Sequence, residues 1–75
     1  MAKVILDSWR EGLEKVSLTK LQVNMLGKSL MESKINVDSL LDDKKVVIEF
    51  DNLDLANEFF KEAEKIGVNC ELVID

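Results

Sequence analysis

The sequence predicts an α+β domain, a two-layer sandwich whose elements follow the order β-α-α-β-α-β. Residues 46–50 (VVIEF) are β-branched or aromatic at four of five positions, which favours a strand. Residues 15–26 and 55–66 place apolar side chains three or four positions apart, a spacing typical of helices that bury one stripe. Because each such helix must bury its stripe against another layer, we expect a three-stranded antiparallel sheet with three helices on one face.

The first strand is predicted over Lys3–Asp7, where three consecutive aliphatic residues stand between charged ones. Ser8–Glu14 contains Gly12 and shows no clean period, so we expect a connection there. Trp9, the only tryptophan, falls in this connection. It is expected to pack over the edge of the core, and a role as a binding anchor is the alternative.

The first helix is predicted over Lys15–Leu26, with Gly27 as a left-handed stop. Ser29 and Glu32 form a capping-box pattern at the start of a second helix that runs to about residue 41. Each helix has a predicted core-directed stripe. These stripes are Leu18, Leu21 and Met25 on the first helix, and Leu30, Ser33, Val37 and Leu40 on the second.

The third helix is capped by Asp51 or Asn52 in this interpretation, and Gly67 supplies its stop. The last strand is predicted over Asn69–Ile74 from the alternation of apolar and polar residues. Cys70 lies at an inward-facing position of that strand. We expect it to be a small core residue, because no histidine or basic neighbour suggests an activated thiolate.

The chain is short enough to form one domain, predicted to span residues 1–75. Its net charge of -5 opposes the counterion release that drives most nucleic-acid binding, so direct binding to DNA or RNA is disfavoured. No segment approaches the roughly 20 apolar residues of a membrane span. The first residues (MAKVILD) lack the apolar core of a signal peptide, and we therefore expect a cytoplasmic protein without a membrane partner.

Catalysis is disfavoured by the residue types present. With one cysteine and no histidine, the usual metal clusters and histidine-based catalytic groups cannot be built. No pair of carboxylates has a spacing that argues for acid–base chemistry. We therefore expect a protein that is not an enzyme and that binds no cofactor or metal.

The order of elements and several individual residues resemble the C-terminal domain of the bacterial ribosomal stalk protein. The matching residues are Lys15, Val16, Lys20, Gly27, Leu30, Glu32, Lys34 and the segment Gly67–Glu71. The resemblance covers nearly the whole chain. It implies a non-catalytic domain that captures translational GTPases, such as elongation and initiation factors, on the surface of its first two helices.

Carried over residue by residue, the resemblance implies a partner-binding face on these helices. Its members are Val16, Thr19, Lys20, Val23, Gly27 and Lys34. The four on the first helix are spaced i, i+3, i+4 and i+7, which predicts one stripe apart from the core-directed stripe. Met31 and Ile35 add exposed apolar area beside Lys34, which partner binding and self-association explain equally well. An ordinary solvated face is the alternative for the first-helix stripe.

Four positions depart from the family pattern. The family usually has isoleucine at Thr19, arginine at Val23, glycine at Ser29 and lysine at Met31. Relative to the family, Val23 and Met31 remove positive charge, and Thr19 reduces apolar contact. Because an arginine at an interface centre can contribute roughly 2 kcal/mol or more, we expect factor binding to be weak or redirected.

The chain shows no counterpart of the stalk protein's N-terminal dimerisation domain and hinge, and is expected to be a standalone, diverged relative. The alternative function is an interaction protein outside translation that reuses the fold. An immunity or inhibitor protein, a phage product and an adaptor all fit this description, with homodimerisation as one possible basis. The acidic balance of the chain would suit a basic partner.

Overall fold

The computed structural model describes residues 2–74 and has the predicted order of elements. The elements are β1 (Ala2–Trp9), α1 (Lys15–Leu26), α2 (Leu30–Leu41), β2 (Val46–Phe50), α3 (Leu53–Lys65) and β3 (Val68–Ile74). The strands form one antiparallel sheet. The predicted α+β class is therefore confirmed.

β1 is the central strand, and the sheet has the order β2-β1-β3. Ile5 of β1 lies opposite Val47 of β2 on one side and opposite Glu71 of β3 on the other. The first strand of the sequence therefore pairs with both of the later strands.

Only one face of the sheet is buried. In β2, Val46, Ile48 and Phe50 are buried, whereas the intervening Val47 and Glu49 are exposed. This period of two is expected when helices cover one face of a sheet. The buried apolar residues form one core: Ala2, Val4, Leu6, Leu18, Val37, Leu40, Val46, Ile48, Phe50, Ala56, Phe59, Ala63 and Val68.

The three helices lie on the buried side, with different neighbours. α2 and α3 approach the strands directly, and the ring centroid of Phe59 in α3 lies 5.6 Å from that of Phe50 in β2. Within residues 2–74, α1 has α2 and α3 as close neighbours and no strand. Its Leu18 is fully buried in the common core. The position of α1 therefore depends on the other two helices.

β1 extends further than predicted. A β-bulge between Leu6 and Ser8 shifts the register, and the strand continues with Ser8 opposite Asn69 and Trp9 opposite Val68. The prediction that Ser8 and Trp9 belong to a connection is therefore wrong. Trp9 ends the strand as an exposed residue, with 41% of its surface accessible, and it is not among the residues packed against the core.

Gly27 and Ser29 set the junction of α1 and α2 as predicted. Gly27 is left-handed (φ 66°), and its N–H donates to the carbonyl oxygen of Val23 at 3.2 Å. The Ser29 hydroxyl accepts a hydrogen bond from the Glu32 N–H at 3.1 Å. The Glu32 carboxylate does not complete the capping box, because it pairs with the Lys28 ammonium at 3.0 Å.

Asn52, rather than Asp51, caps α3. Its side-chain oxygen accepts hydrogen bonds from the N–H groups of Asp54 at 2.8 Å and Leu55 at 3.2 Å. The two donors are among those left unpaired at a helix start, so this cap fixes the first turn of α3.

The connection between β1 and α1 is attached to the turn between α3 and β3. The Arg10 N–H donates to the Gly67 carbonyl oxygen at 2.8 Å, and the Glu14 N–H donates to that of Ile66 at 3.0 Å. The Arg10 guanidinium also pairs with the Glu64 carboxylate at 3.2 Å. These contacts connect the segment that precedes α1 to the end of α3.

Gly67 permits this close approach. It has φ 105°, and a Cβ placed on it would lie 2.9 Å from Cα of Leu13. That distance is a clash with a backbone atom, which no rotamer change relieves. Gly67 is thus needed both for its conformation and for its lack of a side chain.

We predict that Gly67→Ala lowers the free energy of unfolding by about 3 kcal/mol, because it combines left-handed strain with the clash against Leu13. Gly12→Ala is the matched control. Gly12 also has a positive φ (91°), but a Cβ placed on it would meet no neighbour among residues 2–74 within 4 Å, so we expect a loss of only about 1 kcal/mol. Urea unfolding followed by Trp9 fluorescence measures both values. Equal losses would contradict the packing role of Gly67.

Candidate protein-binding surface on the first two helices

α1 and α2 form a hairpin in which the start of α1 lies beside the second half of α2. Lys15 and Val16 of α1 line a groove with Val37 and Asp38 of α2, while Gln22 further along α1 reaches Ser33. The short Gly27–Ser29 link enforces this arrangement. The predicted binding residues are therefore held on one helical unit.

A buried amide joins the two helices. Gln22 is completely buried, and its Nε2 donates to the carbonyl oxygen of Leu18 at 3.3 Å and to that of Ser33 at 3.2 Å. Its Oε1 accepts a hydrogen bond from Nδ2 of Asn36 at 2.8 Å. A buried amide is costly unless its groups are paired, so this network fixes the relative position of α1 and α2.

A shallow groove of about 230 Å³ runs between the helices. Its lining residues are Lys15, Val16, Thr19, Lys34, Val37 and Asp38. Aliphatic carbon forms much of this surface, and two lysines and one carboxylate stand at its rim. Such a groove suits a protruding apolar side chain of another protein better than a small polar ligand.

The structure brings three of the predicted residues together at this groove: Val16, Thr19 and Lys34. Val16 is 68% exposed, and Lys34 is also exposed, as predicted. Thr19 is only 8% exposed, so its assignment to the exposed stripe is wrong. Thr19 faces α2, and its hydroxyl donates to the carbonyl oxygen of Lys15 at 3.0 Å. It forms the floor of the groove.

The other predicted residues of α1 lie beside the groove. Lys20 is exposed and lines a separate depression on the α3 side, near Glu62. Val23 is half-buried. Gly27 is exposed, and its role is the helix stop described above. The predicted residues therefore do not form a single stripe. Val16, Thr19 and Lys34 line the groove, whereas Lys20, Val23 and Gly27 lie outside it.

α2 adds exposed apolar residues to the same hairpin. Met31 is 73% exposed, and Ile35 is exposed as predicted. Leu30 is 57% exposed, so its assignment to the core-directed stripe is wrong, whereas Ser33 is buried as predicted. Leu30 is the first residue of α2 after the Ser29 cap, and the buried residues of the helix are Ser33, Val37 and Leu40. α2 therefore carries three exposed apolar side chains on the same hairpin as the groove.

The hairpin also differs in charge from the rest of the chain. Residues 15–41 carry four lysines and two carboxylates, a net charge of +2, although the chain as a whole has a net charge of -5. α1 itself contains Lys15 and Lys20 and no carboxylate. Counting charge by segment, rather than over the whole chain, would have revealed this separation from the sequence.

Outside the groove, the described residues form a further depression, but they provide neither a cluster of metal ligands nor a helix that could span a membrane. Between α1 and α3 a wider depression of about 420 Å³ is lined by Leu21, Met25 and alternating acids and lysines of α3. No group of three or more potential metal ligands occurs within residues 2–74. In the same part of the chain, every helix is too short or too polar to cross a lipid bilayer.

Cys70 is half-buried and packs against the core, close to its predicted place. Burial raises the pKa of its thiol to about 12, with a further contribution from the Glu64 carboxylate that Arg10 partly offsets. The ordinary value is 9.0, so the folded chain keeps the proton over a range in which the unfolded chain loses it. The contribution of Cys70 to stability is therefore complete below pH 9 and is lost as the pH rises toward 12.

We predict that iodoacetamide alkylates Cys70 at pH 9 more than about tenfold more slowly in the folded chain than in the chain unfolded by urea, because only the thiolate reacts. Mass spectrometry of samples quenched at intervals gives both rates. Equal rates would show that the thiol is neither buried nor shifted in pKa.

We predict that Gln22→Ala lowers the free energy of unfolding by about 2–3 kcal/mol, because it leaves a cavity and removes the hydrogen bonds to Ser33 and Asn36. Asn24→Ala, on the exposed side of α1, is the control and should change stability by less than about 0.5 kcal/mol. Urea unfolding measures both. A loss for Gln22→Ala no larger than that of the control would contradict the structural role of this amide.

No protein-family model matches the chain, and a search of curated proteins finds no match.

Proposed function

We propose that the protein is a non-catalytic binding module that docks another protein on the α1–α2 hairpin. The observation that carries the proposal is the coincidence of exposed apolar side chains, including Val16 and Met31, with a net positive charge on this one unit of an acidic chain. The proposal includes no cofactor and no direct contact with nucleic acid.

The charge of the hairpin defines the partner's chemistry. Lys15 and Lys34 stand at the rim of the groove, and Lys20 is exposed beside it. These lysines favour a partner surface with acidic groups around an apolar centre. Complementary charge accelerates encounter and selects the partner, while the apolar contact at Val16 supplies affinity.

A translational GTPase is the partner class that the resemblance to the ribosomal stalk domain implies, and we propose it as the first candidate, with the protein acting in the cytoplasm. The order of elements on which that resemblance was drawn, β-α-α-β-α-β, is present in the fold and supports this candidate. The departures at Thr19 and Val23 reduce apolar and charged contact, so under this version of the proposal we expect weak binding of the factor.

An interaction protein outside translation is the second candidate. Met31, where the family usually has lysine, favours it, because a 73% exposed methionine makes the α2 surface more apolar. Under this proposal the same hairpin binds a target unrelated to the ribosome. The net positive charge of residues 15–41 favours an acidic target over the basic partner that the charge of the whole chain suggests.

An amide-resolved NMR titration with a translational GTPase tests the first candidate. We expect localised shifts of the amide resonances of Val16, Lys20 and Lys34. No shift at about 100 μM factor would contradict the translational role and leave the second candidate.

We predict that Lys34→Glu and Lys20→Glu each weaken partner binding by roughly tenfold or more and change the melting temperature little, since both side chains are exposed. Lys3→Glu is the control, because Lys3 belongs to the sheet face opposite the helices. Calorimetric titration and thermal melts measure the two effects. Binding unchanged in both hairpin variants, or equally weakened in the control, would contradict the assignment of the surface.

A further inference from the structure

β2 is an edge strand. In the order β2-β1-β3 its inner side pairs with β1, and within residues 2–74 no strand pairs with its outer side. The backbone N–H and C=O groups on an outer edge are free to pair with another strand. The sequence of β2 indicates which pattern of charged and aliphatic residues a pairing strand should have.

β1 and β2 share a five-residue pattern. Lys3–Asp7 (KVILD) and Lys45–Glu49 (KVVIE) both consist of a lysine, three aliphatic residues and an acid. In the sheet the two segments are antiparallel, with Ile5 opposite Val47. Each lysine therefore stands opposite the acid of the other segment.

At both ends of the β1–β2 pairing a lysine of one strand faces an acidic residue of the other. Lys3 lies opposite Glu49, and at the other end the Lys45 ammonium lies 3.3 Å from the Asp7 carboxylate. Opposite charges across neighbouring strands favour the register that joins them. A strand with this pattern is consequently complementary to an antiparallel strand with the same pattern.

We propose that β2 pairs with β2 of a second copy of this chain across a two-fold axis, giving a continuous six-stranded sheet. Val47 lies opposite Val47 of the second copy. Lys45 then lies opposite Glu49 of the second copy, and Glu49 lies opposite Lys45 of the second copy. The contact repeats on the outer side of β2 the pairing that β1 makes on its inner side.

β3, the other edge strand, lacks this self-complementarity. Val68–Ile74 contains one charged residue, Glu71, and no lysine. A second copy of β3 therefore offers no opposite charge to set a register. The charge pattern selects the β2 edge as the one that joins two copies.

The contact is small, because each copy contributes only the five residues of β2 and the lysine before them. Interfaces well below about 1,200 Å² are characteristic of weak association. The dimer should therefore have a dissociation constant on the order of 100 μM and form at high local concentration.

Sedimentation equilibrium of the wild-type chain up to about 1 mM is the first test, with a monomer–dimer equilibrium as the expected result. Lys45→Glu places two acids opposite each other across the contact, and Glu49→Lys places two lysines there. We expect each variant alone to dimerise roughly tenfold more weakly or worse. An equimolar mixture of the two variants should associate again, because each mixed dimer joins two acids to two lysines.

Lys61→Glu is the matched control, since it reverses the charge of an exposed lysine of α3 that lies in the depression between α1 and α3 and outside the β2 edge. We expect it to dimerise like the wild type, with circular dichroism melts confirming that every variant is folded. A wild-type chain that stays monomeric at about 1 mM, or variants that fail to associate on mixing, would overturn the proposal. Equal weakening by Lys61→Glu would also overturn it, because the loss would then follow from the net charge of the chain and not from the β2 edge.

Discussion

The buried amide of Gln22 is the interaction on which the candidate surface depends. In the described part of the chain α1 has no strand close beneath it, so neither sheet register nor strand hydrogen bonds determine where it lies. Leu18 gives it an apolar anchor, but apolar contact is non-directional and allows a helix to slide or rotate. The hydrogen bonds from Gln22 to the Ser33 carbonyl and from Asn36 to Gln22 are directional, and they define one register between α1 and α2.

The fixed hairpin explains how a small acidic chain can present a surface of opposite character. The hydrogen bonds of Gln22 hold together the two helices that line the groove between Val16 and Lys34. Most carboxylates of the chain lie outside residues 15–41. They give the molecule an overall negative charge, which repels acidic polymers. The hairpin has a net positive charge, as the proposed docking of an acidic protein requires.

The fold could be predicted because the strongest patterns are local. Val46–Phe50 alternates as one buried face requires, and Gly27 adopts without strain the left-handed conformation that stops α1. The errors concern tertiary neighbours. The spacing of Thr19 places it on a helix face, but only the position of α2 decides that this face is covered. Similarly, the exposure of Leu30 depends on where α2 meets the core, and the strand position of Trp9 depends on a β-bulge that no local pattern signals.

The pairing of β1 with β3 places Ala2 opposite Ile74, so residues from the two extremes of the described chain are neighbours. Closing so long a stretch of polypeptide has an entropic cost that must be met before this pairing contributes stability. During synthesis, β1 can meet β2 well before β3 has been made. A nascent chain that ends before β3 consequently holds its central strand with one side uncovered, and the cooperative sheet forms only when the last strand has left the ribosome.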